Sequence, residues 1–121
     1  MMKLKAIVLD SDNFPELAAF YARLLGGKVT QCNEYYAQVC WLGSPLCYFF
    51  QNTEGYIPPV WPEESEKQQQ MIHMDYAAED VEQAVQHALD CGASMAPVSY
   101  MQHGKVLFDP AGHPFCICPV E

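Results

Sequence analysis

The chain is poor in positive charge. Its 6 Lys and Arg stand against 15 Asp and Glu, a formal net charge of −9 at pH 7. A phosphate-backbone partner needs a basic stripe, so the charge argues against nucleic acid as a partner. Long apolar runs are also missing. None reaches membrane-spanning length, and the stretch after Met1-Met2-Lys3-Leu4-Lys5 is too short for a secretory leader and has no cleavage pattern. The expectation is a soluble cytoplasmic protein with no membrane partner. None of the 6 cysteines forms a C-x-x-C pair, and most sit in apolar runs such as Val39-Cys40-Trp41. Free buried thiols in a reducing compartment are therefore expected, rather than a disulfide framework. No phosphate-cradling glycine loop, nucleophile elbow or nicotinamide fingerprint occurs.

What the chain does contain is a repeat. Lys5–Gly27 reads as a strand ending in Asp10, a helix, then glycine. Met71–Gly92 reads the same way, with Asp75 ending the strand. Asp10 and Asp75 lie 65 residues apart, as do Gly27 and Gly92. Two similar modules in one small domain follow, with a pseudo-symmetric groove between them as the expected ligand site. At 121 residues and 50% hydrophobic, the chain can bury a core without staples.

Ala6–Leu9 reads as a buried strand. Asn13 can cap a helix, with Pro15 just inside and Glu16 at the capping-box position. Leu17, Phe20, Tyr21, Leu24 and Leu25 follow the rhythm of one buried helix face. Gly26-Gly27 ends that helix. Strands are predicted over Lys28–Cys32, Tyr35–Leu42 and Leu46–Gln51, so the first half reads β-α-β-β-β. In the second half, Met71–Tyr76 is a strand. Val81, Ala84, Val85, Ala88 and Leu89 repeat the helical rhythm. Strands follow over Ala93–Met101 (edge or bulged, because of Pro97), Lys105–Phe108 and Pro114–Val120. One module runs over about 3–52 and the other over about 70–121, with a Pro-rich linker at 53–69. Trp61 in that linker either covers the edge of the core or belongs to a lid over the groove.

Strand alternation sorts the candidates for chemistry. Ile7 and Leu9 suit the helix side, which turns Val8 and Asp10 to the groove. His73 and Asp75 take the same places in the second copy. Phe115 and Ile117 suit the core, which turns Cys116 and Cys118 to the groove. Phe49 and Gln51 share a face. A groove with aromatic walls and a few polar groups could be built from Asp10, Tyr48 or Phe49, Gln51, Trp61, His73, Asp75, Tyr100 and Cys116. His73 is the candidate general base, because imidazole titrates near neutral pH. Asp109 is expected to brace its own turn and His113 to join the hairpin's hydrogen bonding. His87 and His103 read as solvated.

Phe20-Tyr21-Ala22-Arg23-Leu24-Leu25-Gly26 resembles the helix end of the vicinal-oxygen-chelate superfamily, which includes glyoxalase I, bleomycin-resistance proteins and extradiol dioxygenases. Phe108-Asp109-Pro110-Ala111-Gly112-His113-Pro114-Phe115 resembles its closing hairpin, and His73-Met74-Asp75 its second-module entry. Together with Asp10 and Trp61-Pro62, these motifs resemble the small glyoxalase-like branch. The resemblance implies an α+β fold: two βαβββ modules forming a cupped eight-stranded mixed sheet, with frequent homodimers. The superfamily's metal enzymes place one His or Glu ligand on each of the first, fourth, fifth and eighth strands. Those positions fall near Ala6, at Phe49 or Gln51, at His73, and at Cys116. No residue from Lys3 to Leu9 is His, Asp or Glu. The resemblance thus implies small-molecule binding without a glyoxalase-type metal site; any metal would use His73 with Cys116. The alternative is a lyase or isomerase resembling glyoxalase I (lactoylglutathione lyase), or a related dioxygenase, with Ni, Zn, Mn or Fe. A third reading is metal-free acid–base chemistry by His73.

Overall fold

A computed structural model of the chain describes residues 1–120; Glu121, the last residue of the second module as read above, lies outside them. The chain forms two compact units, Met1–Tyr56 and a second that begins at Ile57. In the first, β1 (Ala6–Ser11), α1 (Phe14–Leu25), β2 (Lys28–Cys32), β3 (Tyr36–Cys40) and β4 (Cys47–Asn52) follow in order. The second repeats the order with β5 (Asp75–Ala78), α2 (Val81–Cys91), β6 (Ser94–Met95), β7 (Lys105–Phe108) and β8 (Pro114–Pro119). The sheets have matching topologies, β1-β4-β3-β2 and β5-β8-β7-β6, each of four strands. In both, the first and last strands pair in parallel and the others antiparallel. The α+β reading and the repeated βαβββ order therefore hold.

Helix α1 forms where its apolar rhythm predicts, burying Phe14, Leu17, Ala18, Phe20 and Tyr21. It stops because Gly26 adopts φ 70, a left-handed conformation that costs glycine nothing. Its start differs from expectation. Asn13 makes no side-chain cap bond. Instead, Asn52 at the end of β4 accepts from the Phe14 amide at 2.9 Å, so the cap comes from the neighbouring strand. Against α1 lie the inward residues of the sheet: Leu9, Ala37, Val39, Tyr48 and Phe50, all buried. Tyr48, a candidate for the groove, thus belongs to the core and meets Tyr21 edge-to-face at 5.6 Å.

Cys40 and Cys47 form a disulfide, which corrects the expectation of free thiols throughout. The β3–β4 register pairs Gln38 with Phe49 and Val39 with Tyr48, so Cys40 and Cys47 come next, directly opposed, with Cα atoms 4.6 Å apart. Cys32 departs from the reading in another way: it is exposed on β2.

In the second unit two predicted strands shrink. The stretch expected from Met71 enters the ladder only at Asp75, with Met71 and Ile72 left exposed. The Cys116 amide of β8 donates to the Met74 carbonyl at 2.9 Å, just ahead of the ladder. Only Ser94–Met95 of the stretch Ala93–Met101 pairs as a strand. Of the residues read as a linker, Trp61 packs against the small core of Ala96, Val106 and Cys116. Its indole N–H donates to the Val98 carbonyl at 2.8 Å. Gly112, at φ 90, lies so close to Pro58 that an added Cβ would come within 2.7 Å of that ring. Among the described residues, no helix is long and apolar enough to cross a membrane.

Candidate functional site

The chemistry-bearing residues of the second unit gather at the start of the β5–β8 ladder. Asp75 is the cross-strand partner of Cys116. His73 stands two residues before Asp75, and its Nε2 lies 3.3 Å from Asp75 Oδ1. The donor atoms of His73, Asp75 and Cys116 all lie within 4.8 Å of one another. The imidazole and carboxylate are open to solvent, with side chains 36% and 63% exposed, while Cys116 is 6% exposed. Cys116 does turn away from Phe115 and Ile117, as alternation predicts. Its face is covered, however: Trp61, Met101, Phe108 and Cys118 pack there. Sequence reasoning missed Met101, whose Sδ accepts from the Cys118 thiol at 3.5 Å, because it lies on an irregular segment with no period to read.

Burial pushes the Cys116 thiol up to about 12. Its hydrogen bond to the Asp75 carboxylate and that group's negative charge add to the effect, with Cys118 contributing least. Cys118 is raised too, by burial and then by Asp75. Burial and the neighbouring carboxylate thus both favour the thiol form of Cys116 over the thiolate. Iodoacetamide at pH 7.5 (roughly neutral, where ordinary thiols react slowly) should alkylate exposed Cys32 and leave Cys116 unmodified until the protein is denatured. Peptide mass spectrometry reads both sites in one sample, and equal rates would refute the assignment.

In the first unit the surface opposite α1 carries Asp10, Phe49 and Gln51. Asp10 and Gln51 are cross-strand partners, and the Gln51 amide donates to Asp10 Oδ1 at 2.8 Å. Phe49 stacks on Tyr36, with centroids 5.6 Å apart and planes 7° apart, and Lys5 Nζ lies 5.9 Å from its centroid. The Tyr36 hydroxyl donates to Gln31. Tyr36 and Lys5 were not singled out from sequence, although Tyr36 shares the alternation of its strand. Tyr100 is 66% exposed and meets Trp61 edge-to-face at 5.6 Å.

The closing hairpin behaves as its residue types predict. Buried Asp109 accepts from the Ala111 and His113 amides at 2.9 and 3.0 Å, and its other oxygen pairs with His113 Nδ1 at 2.8 Å. It thereby sets the entry of β8, which carries Cys116.

Residues 6–118 match the model of the glyoxalase-like domain family. This chain belongs to that family. A glyoxalase/bleomycin resistance protein/dioxygenase family enzyme of Burkholderia phytofirmans is similar in fold, at 19% identity and a TM-score of 0.74, covering 99% of this chain and 100% of that one. A glyoxalase-related enzyme of Fulvimarina pelagi is similar at 13% identity and a TM-score of 0.67, covering 97% and 87%. A glyoxalase family protein of Enterococcus faecalis is similar at 16% identity and a TM-score of 0.65, covering 95% of each chain. No curated protein matches. At these identities the likeness establishes the glyoxalase/bleomycin-resistance fold.

The four-strand metal pattern of that superfamily does not fit the side chains present. The first-strand position falls near Ala6, in a stretch from Lys3 to Leu9 without His, Asp or Glu. The fourth-strand position holds either the Phe49 ring or the Gln51 amide, which is engaged with Asp10. The eighth-strand position falls on the buried thiol of Cys116. Only His73 remains as a ready donor for a hard cation, which takes oxygen and nitrogen ligands in larger number.

Proposed function

We propose that this glyoxalase-like protein binds a small molecule without the metal-centred lyase chemistry of glyoxalase I, and that His73 and Asp75 provide its polar contact. The observation that carries the reading is the mismatch of the donors. Three of the four superfamily metal positions lack a ready ligand, yet an imidazole and a carboxylate stay solvent-accessible on a fixed strand start. Asp75 lies within reach of Nε2, so it orients the ring, and Nδ1 is left to accept from a hydroxyl of the ligand. Aromatic surface at Trp61 and Tyr100 supplies apolar contact. A ligand so held needs no chemical step. If one occurs, His73 is the group able to move a proton, which is the acid–base alternative.

A thermal-shift panel tests this. It includes bleomycin and the hemithioacetal of glutathione with methylglyoxal, assayed on chelator-treated protein. At one hundred times its Kd a true ligand stabilises the fold by about 2.7 kcal/mol, a rise of several degrees. The rise should vanish in His73→Ala, whose exposed side chain leaves the unliganded melting temperature unchanged. Equal shifts in the parent, His73→Ala and Trp61→Ala would remove these residues from the site. Formation of a thioester from the hemithioacetal would replace the binding reading with the lyase one.

A further inference from the structure

We infer that the Cys40–Cys47 disulfide is a reversible thiol–disulfide exchange site for a low-molecular-weight thiol, polarised so that Cys47 takes the incoming sulfur and Cys40 leaves. The site lies wholly within the first unit. It goes beyond the ligand contact at His73 and Asp75 and does not depend on it.

Three observations carry it. The first is access. The bridge joins the facing ends of β3 and β4 on the side of the sheet away from α1, and both cysteines are only half-buried. Accessible disulfides are the labile ones, whereas sealed ones resist the thiol pool. The second is polarity. The Gln38 side-chain amide donates to Cys40 Sγ at 3.2 Å. The Thr30 hydroxyl lies 3.5 Å from the same sulfur and can turn its proton there from the Gln38 carbonyl. Lys28 is the register partner of Cys40 on β2, which places a cation on the same face. These groups receive negative charge on the Cys40 sulfur and make it the better leaving group. The third is what the bridge holds. It stands one step beyond the Val39–Tyr48 pair of the ladder and closes residues 41–46. Trp41 in that connection meets Tyr48 edge-to-face at 4.9 Å. It also lies against Gly27 at the exit of α1, where an added Cβ would come within 2.8 Å of the indole nitrogen. Opening the bridge therefore relaxes a connection packed against the helix end.

The exchange balances in two steps. A thiolate attacks Cys47 Sγ; a mixed disulfide forms, the Cys40–Cys47 bond breaks, and its electron pair leaves on Cys40, which takes a proton from solvent. A second thiolate attacks the outer sulfur of the mixed disulfide, and Cys47 leaves and is protonated in turn. Two thiols are thereby oxidised to one disulfide while the protein disulfide is reduced to two thiols. The same steps in reverse close the bridge, with the small disulfide as oxidant.

The test uses the full chain carrying Cys32→Ser, which removes the exposed thiol. The protein is equilibrated in glutathione buffers from fully oxidised to fully reduced, quenched with acid, alkylated and read by peptide mass spectrometry. Cys40 and Cys47 should open together within that series and close again when glutathione disulfide is restored. Early in the reaction the glutathione adduct should lie on Cys47. Lys28→Gln and Gln38→Leu should each slow opening about fivefold. Amide hydrogen exchange at Ser44 and Leu46 should rise in the reduced protein and in the Cys40→Ser, Cys47→Ser double variant, with the Cys116 amide unchanged. A bridge that survives fully reduced glutathione until the protein unfolds overturns the inference. So does an adduct confined to Cys40, or equal opening rates in the parent and both charge and amide variants. The thermal-shift comparison of the parent with His73→Ala reads the other unit and stands or falls separately.

Discussion

Replacing Phe50 by alanine should destabilise the first unit by about 3–5 kcal/mol, the range for large aromatic truncation in a packed core. Phe50 is completely buried in β4, which pairs with β1 on one side and β3 on the other. Its ring stacks on Tyr21 of α1 at 5.6 Å. It therefore joins the helix to the middle of the sheet, and alanine would leave a void with tyrosine rings on its walls. Neither β4 nor α1 can close that void without breaking the ladder or the helix, so relaxation recovers little. Urea unfolding followed by far-ultraviolet circular dichroism measures the loss, and the melting temperature should fall by roughly ten degrees or more. A change below about 1 kcal/mol, the scale of surface substitutions and small effects, would mean that the ring is not packed as described.

Asp109→Ala should cost about 2–4 kcal/mol, since it leaves buried donors unsatisfied rather than merely deleting a contact. The carboxylate is 3% exposed. One oxygen takes the amides of Ala111 and His113, and the other takes His113 Nδ1. Asp109→Asn keeps an acceptor for the two amides and loses the charge, so it should cost less than half as much. Hydrogen exchange resolves the mechanism. Protection at the Ala111 and His113 amides should collapse in the alanine variant and persist in the asparagine variant. Similar losses for both substitutions would assign the stabilisation to charge instead of turn geometry.

The parts of this protein that were legible in its sequence are those encoded by near neighbours. The helix rhythm from Leu17 to Leu25, the stop at Gly26, the strands Lys28–Cys32 and Lys105–Phe108, and the Asp109 turn all depend on residues within a few positions of each other. Alternation likewise separated Phe115 and Ile117 from Cys116. What alternation cannot show is whether a face is open or covered. Cys116 looks outward by period, yet Trp61 and Met101 bury it from segments that have no regular period. Tyr48 fails for a related reason: either of two adjacent aromatics in one strand suits a groove, and only the position of α1 decides which is core.

Local periodicity and turn chemistry thus determined, from the amino acids alone, the repeated order of elements and the family that order resembles, because those preferences act along the chain. Register was decided only in three dimensions. It set Cys40 against Cys47 in a disulfide and Asp75 against Cys116 beside an imidazole. Cross-strand partners are chosen by the packing of whole faces, which cannot be read from residues adjacent in sequence.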